Sequence, residues 1–231
     1  MCADIISLTP EKMLTDKHAD QLRISEIFLS LQGESRSVGY PTVFIRLTGC
    51  PLRCGYCDTS YAFQGGEWVT QAAILAQVST YNTHHITVTG GEPLAQKNCL
   101  GLLTHLCDAG YNVSLETSGA LDVSAVNVRV VKVMDLKTPG SGEADKNYWQ
   151  NIEHLSPQDQ VKFVLCDRDD YDWAKKIVEK YRLLSRCEIL FSPSYGQLKA
   201  KTLATWILDD KLQIRFQLQL HKILWDNEPG R

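Results

Sequence analysis

The sequence predicts an α/β fold in which mostly parallel strands form an abbreviated, partial barrel. Three features lead there. Strand-like and helix-like segments alternate along the chain, the pattern of βα units joined by right-handed crossovers. The strand-like runs are rich in β-branched residues and nearly continuous in apolar character, as strands covered on both faces are. Helical segments are fewer than strands, so an incomplete barrel fits better than a closed one of eight full units.

The strand-like runs occupy residues 24–29, 42–48, 85–89, 112–116, 128–134, 161–165, 188–191 and 213–220. Helical patterns fall at 70–81, 93–109, 169–181 and 197–208; the second carries Leu94, Leu100, Leu102, Leu103 and Leu106. Residues 1–22 are polar with little periodicity and read as an N-terminal extension. No linker, repeat or low-complexity stretch interrupts residues 23–231, which read as one core domain. In this architecture ligands collect at the carboxyl ends of the strands.

A chain of 231 residues with 44% apolar and 22% charged residues can bury a sizeable core. Its net charge of −3 and lack of a polybasic run argue against a nucleic acid or an anionic membrane as partner. No apolar run approaches the ~20 residues of a bilayer span, and the N-terminal segment lacks a basic-then-apolar leader, so a cytoplasmic location is expected. The eight cysteines then read as reduced thiols and metal ligands.

Cys50, Cys54 and Cys57 follow directly on the strand 42–48, in a loop that Gly49, Pro51 and Gly55 allow to wrap closely. Three thiolates at this spacing can hold three irons of a cubane cluster and leave the fourth open to a chelating small molecule. A structural zinc site would need a second close pair of ligands, and an electron-transfer ferredoxin a fourth cysteine. Cys2, Cys99, Cys107, Cys166 and Cys187 supply neither and are assigned to packing or surface. The Cys-x3-Cys-x2-Cys spacing, with Tyr56 just before the last cysteine, resembles the signature of the radical S-adenosylmethionine superfamily. That resemblance implies one [4Fe–4S] cluster on these cysteines and a TIM-like partial barrel of the radical SAM type. It also implies that S-adenosylmethionine binds the open iron and is cleaved reductively to a 5′-deoxyadenosyl radical.

A second motif, Thr89-Gly90-Gly91-Glu92-Pro93, ends the strand 85–89. Alone it suits a tight βα turn with Pro93 opening a helix; beside the cysteines it resembles the superfamily's GGE motif, which implies cofactor contacts at Gly91 and Glu92. Further strand ends carry Glu116, Asp135-Leu136-Lys137 and Ser192. The same resemblance extends cofactor binding to all five, although Lys137 also reads as an exposed loop charge.

Upstream, Leu31-Gln32-Gly33-Glu34 places Gln32 and Glu34 on one side of an extended segment, where amide and carboxylate can pair with a heterocycle edge. Arg46 lies among apolar residues and needs a partner, either an internal carboxylate or a substrate's. Asp58 and Thr59 offer oxygens of the type magnesium accepts. Together with the cysteine loop, the Thr89–Pro93 motif, Glu116 and His221, these segments resemble the 7-carboxy-7-deazaguanine synthase family. Members contract the ring of 6-carboxy-5,6,7,8-tetrahydropterin with loss of ammonia, toward queuosine and other 7-deazapurines. The resemblance implies pterin contacts at Leu31, Gln32, Gly33, Glu34, Arg46, Thr89 and His221, the last reached from a C-terminal strand. It also implies magnesium at Thr59, a reductant such as flavodoxin or ferredoxin, and a homodimer. Ser35 stands where the family often has glycine, and no substrate contact is expected from residues 225–231. The rival readings are a glycyl-radical activating enzyme, which lacks the Leu-Gln-Gly-Glu segment, and a non-enzymatic metal module.

Overall fold

The computed structural model describes residues 18–226, 228 and 230, so most of the extension read at 1–22 lies outside the described residues. Strand β1 (Gln21–Leu31) pairs antiparallel with β2 (Pro41–Leu47), setting Phe28 opposite Phe44 with stacked rings 5.1 Å apart. A short strand, β3 (Glu67–Thr70), pairs antiparallel with the start of β1. From β2 onward the sheet is parallel through β4 (His85–Gly90), β5 (Asn112–Thr117), β6 (Val131–Asp135), β7 (Gln160–Leu165), β8 (Glu188–Pro193) and β9 (Arg215–Phe216). The order β3-β1-β2-β4-β5-β6-β7-β8-β9 does not close on itself, so the sheet is an open, mostly parallel partial barrel, as the pattern of strands and helices predicts.

Helices α1 (Gln71–Ser79), α2 (Cys99–Asp108), α3 (Arg168–Lys180) and α4 (Ala200–Asp209) supply crossovers, and α5 (Leu220–Trp225) is the last helix among the described residues. Side-chain caps fix two starts: Ala73 N donates to Thr70 Oγ1 at 3.2 Å, and Asp170 N to Asp167 Oδ1 at 2.9 Å. Two apolar clusters form the core. One joins Val43, Ile45, Val88 and Leu115 to Ile74, Leu102 and Leu106; the other joins Phe163, Ile189 and Phe191 to Tyr171, Ala174 and Leu203. Cys99, Cys107 and Cys187 are buried, and Cys166 is half-buried.

Four segments differ from the sequence expectation, each for a local reason. The strand 213–220 shrinks to Arg215–Phe216, which pair in register with β8; Gln217 N adds a last bond to Phe191 O at 2.9 Å before the chain turns into α5, so His221 sits on a helix. The strand 128–134 becomes Val131–Asp135, since Val130 N closes a turn on Asn127 O and leaves Val128 82% exposed. The helix 93–109 splits into a single turn at Pro93–Ala95 and α2. The strand read at 24–29 lengthens to Gln21–Leu31, so β1 begins inside the segment read as an extension.

Candidate active site

The cysteine loop leaves the end of β2 and is held against its neighbours by backbone bonds. Glu92 N donates to Gly49 O at 2.7 Å, Gly49 N to Ala62 O at 2.8 Å and Gly55 N to Ser141 O at 3.0 Å. Gly91 lies so close beneath that a Cβ there would enter the space of the Gly49 carbonyl and the Cys50 side chain. Cys50, Cys54 and Cys57 are unpaired thiols, each half-buried, that line one cavity. Burial raises the Cys50 and Cys54 thiols above their ordinary value, so binding iron would displace protons. Among the described residues no other cysteine lines this cavity, and no three His, Cys, Asp or Glu side chains converge on one ion-sized point. A cubane needs no such convergence, since each thiolate takes a different corner.

On the β6 side, Lys137 Nζ pairs with Asp135 Oδ2 at 3.0 Å and lies 5.8 Å from the Tyr56 ring centre. Lys137 is buried, which sets aside its reading as an exposed loop charge. Its ammonium is pulled up by the Asp135 carboxylate against the penalty of burial. Two buried polar atoms here, Tyr56 Oη and Asp135 Oδ1, have no hydrogen-bond partner. Both residues line the cavity, which fits a polar molecule seated against them and the cysteine loop.

Glu92 is fully buried and does not line the cavity. Its Oε2 accepts from Ser118 N at 2.7 Å, Ser118 Oγ at 2.5 Å and Thr117 Oγ1 at 3.0 Å, while Oε1 accepts from Leu94 N at 3.0 Å. The carboxylate thus welds the Gly91 loop to the end of β5. Leu136 packs into the second core cluster, and Ser192 is buried within β8; neither lines the cavity, whereas Ser194 and Tyr195 do.

The opposite wall is polar. Gln32 Nε2 donates to Thr87 Oγ1 at 3.0 Å and to Glu116 Oε1 at 3.3 Å, and Thr89 Oγ1 donates to Glu116 Oε2 at 3.0 Å. Burial, then the charge of Glu34, raises the Glu116 carboxyl above its ordinary value. Glu34 is the counterpart: burial opposes its charge, but Lys162 at 2.6 Å and Gln219 at 2.9 Å hold it below the ordinary value. Arg46 Nε pairs with Glu26 Oε1 at 2.6 Å, the internal partner, while Arg46 also lines the cavity. Thr59 is a cavity residue whose Oγ1 lies 3.8 Å from Cys57 Sγ.

A model of the radical SAM superfamily matches residues 44–186. Over 89% of this chain and 94% of the relative, the sequence is 43% identical to 7-carboxy-7-deazaguanine synthase of Chlorobaculum tepidum. The chain belongs to the 7-carboxy-7-deazaguanine synthase family. The namesake of Koribacter versatilis is 37% identical over 90% of this chain and 98% of its own length. The crystal structure of QueE from Escherichia coli superposes with a TM-score of 0.72, at 23% identity, covering 87% of this chain and 95% of that one, and shows the same fold. Relatives with this name favour the 7-carboxy-7-deazaguanine synthase family over the rival readings, and superfamily membership implies a [4Fe–4S] cluster and S-adenosylmethionine.

Within this family member, most residues singled out in the sequence share the one cavity: Leu31, Gln32, Gly33, Glu34, Arg46, the three cysteines, Thr59, Thr89, Gly91, Glu116, Asp135, Lys137 and His221. Against the sequence expectation, Asp226, Glu228 and Gly230 line it too. The sequence reading passed over Lys162, Gln219 and Lys222. Lys162 carried a signal, one cation inside an apolar strand, the same feature that marks Arg46. Gln219 and Lys222 carried none, because their meaning depends on α5 folding back over the cavity. There Leu220 N donates to Gly33 O at 2.9 Å, and Lys222 Nζ pairs with Asp58 Oδ2 at 2.9 Å. Burial lowers the imidazole of His221, which sits against Gly33.

Proposed function

We propose that the protein converts 6-carboxy-5,6,7,8-tetrahydropterin to 7-carboxy-7-deazaguanine with release of ammonia, as a radical SAM carbon–nitrogen lyase. The observation that carries this reading is the single cavity whose one wall is the cysteine loop and whose other is the Gln32–Glu34–Thr89–Glu116 network. Cys50, Cys54 and Cys57 would hold the [4Fe–4S] cluster, with S-adenosylmethionine against Gly91, Asp135 and Lys137. When bound, that pair supplies a carbon-centred radical able to take a hydrogen atom from the substrate.

The chain's own contribution is placement. Glu34 accepts from the N–H edge of the pyrimidine ring, and Gln32 offers amide and backbone groups to the same edge. Arg46, its Nε anchored by Glu26, keeps its planar fork fixed toward the substrate carboxylate. Thr59 supplies one oxygen to a magnesium ion, which would polarise and orient that carboxylate. Thr89 and His221 border the pterin, and α5 covers it from water. A reductant such as flavodoxin or ferredoxin and a homodimeric assembly complete the proposal.

Anaerobic protein with reconstituted iron is incubated with carboxytetrahydropterin, S-adenosylmethionine, magnesium and dithionite. Formation of the deazaguanine ultraviolet spectrum with an equivalent of ammonia is expected. Cleavage of S-adenosylmethionine without either product would reject the substrate while leaving the superfamily chemistry intact.

A further inference from the structure

Among the described residues, Lys162 is the one cation that pairs with a carboxylate on each half of the cavity. It projects from β7 with its Nζ 2.6 Å from Glu34 Oε2, on the polar wall, and 3.6 Å from Asp135 Oδ2, on the Tyr56–Lys137 wall. Its side chain is 13% exposed and that of Glu34 12%, so both charges are largely withdrawn from bulk water. Gln219 Nε2 holds the second oxygen, Glu34 Oε1, at 2.9 Å. Glu34 is therefore gripped at both oxygens, and it lines the cavity.

Resting on the function proposed above, we propose that Lys162 is a positioning residue for substrate capture: pinned between Glu34 and Asp135, its ammonium holds Glu34 ionised and oriented as the acceptor for the substrate's N–H edge. Without Lys162 the polar wall would carry Glu34 and Glu116 against Arg46 from β2 and His221 from α5, while Asp135 on the facing wall keeps Lys137 at 3.0 Å. Arg46 is committed through Nε to Glu26, and burial keeps His221 toward its neutral form. Buried carboxylates deprived of a cation take up a proton. Glu34 as a neutral acid would present a donor to a donor edge and lose its bidentate role.

The test compares Lys162→Met, similar in length but uncharged, with Lys162→Arg and Lys162→Gln, in cluster-loaded holoenzyme. Wild-type turnover of carboxytetrahydropterin is measured first; if it is absent, the functional reading itself fails and the positioning role falls with it. Given turnover, Lys162→Met should raise the pterin KM by about tenfold or more, the usual scale for losing a buried charge-assisted contact. It should leave intact the change that S-adenosylmethionine induces in the electron paramagnetic resonance spectrum of the reduced cluster. A new infrared band of a protonated carboxyl should appear in Lys162→Met and vanish in the Glu34→Gln/Lys162→Met double variant, a signature that a packing role would not give. Lys162→Arg should restore most of the affinity and lack the band. Should Lys162→Met not fold, Lys162→Gln, which still donates a hydrogen bond, must show the same KM rise and band. Unchanged pterin KM, or no carboxyl band in whichever uncharged variant folds, overturns the proposal.

Discussion

Glu92 shows how a motif residue that does not line the cavity can still shape it. Its buried carboxylate accepts from Leu94 N, Thr117 Oγ1, Ser118 N and Ser118 Oγ. In Glu92→Gln an NH2 group must face one of these donors, at a cost of about 1–3 kcal/mol for the buried polar group left unpaired. Calorimetry should therefore find the melting temperature lowered by roughly 2–10 °C for a chain of this size, together with weaker S-adenosylmethionine cleavage; an unchanged melt would show the bonds to be dispensable. Glu116 gives a pH-dependent counterpart. Its folded-state carboxyl lies above the ordinary 4.5, raised by burial first and by Glu34 second. A raised acid contributes stability below its unfolded value and loses it as pH rises through the folded value. The melting temperature of Glu116→Gln relative to wild type should accordingly climb as pH increases from about 4.5 into the neutral range; a flat difference would mean that Glu116 is already ionised at no cost. Chemistry-bearing residue types were legible from the sequence where spacing is informative, as with Cys50, Cys54, Cys57 and the Gly91-Glu92 pair. Whether a carboxylate faces the ligand or braces a loop was not, because Glu92 and Glu116 differ only in which donors the fold brings to them.

Two contacts between elements decide whether the site assembles. Gly91, at the end of β4, has no room for a side chain against the Gly49 carbonyl and the Cys50 side chain. Since one obstacle is backbone, Gly91→Ala must push the two loops apart, an overpacking that typically costs about 1–3 kcal/mol. Iron bound after anaerobic reconstitution should fall well below wild type, whereas full loading would mean that the cysteine loop can yield. Gly33 differs in kind, because a Cβ there would meet mainly the His221 ring, on a short helix that can shift. Gly33→Ala should load iron normally and cleave S-adenosylmethionine but show a raised pterin KM, and steady-state kinetics on both reactions separate the two cases. Central strands such as β4, β5 and β7 were legible because apolar residues recur at every second position, as in Ile86-Thr87-Val88, Val113-Ser114-Leu115 and Val161-Lys162-Phe163. β3 was not, and the strand read at 213–220 was too long: the extent of an edge strand depends on where a partner passes, as β1 passes Trp68 and β8 passes Phe216.

At the scale of the whole molecule, the cavity lies where two packed halves meet. β2, β4 and β5, with the first core cluster behind them, bring the cysteine loop, Thr89, Gly91 and Glu116; β6 and β7, backed by the second cluster, bring Asp135, Lys137 and Lys162. That functional residues would gather at strand ends was legible from the βα alternation alone. The closure of the cavity by the C-terminal segment was not, because residues 213–220 alternate like a strand while the chain leaves the sheet edge after Gln217. Polar links tie this segment down: Gln219 to Glu34 and Asp58, Leu220 N to Gly33 O, and Lys222 to Asp58. Neither core cluster includes a residue beyond Phe216. A chain ending at Leu218 should therefore fold with a nearly unchanged melting temperature and load its cluster, since the apolar burial that dominates stability is untouched. It should still cleave S-adenosylmethionine, yet form little deazaguanine, having lost the Gln219 grip on Glu34, His221 and the cover over the pterin. Product formation at the wild-type pterin KM would show that α5 is an ornament of the fold and that water is kept from the substrate by the barrel wall alone.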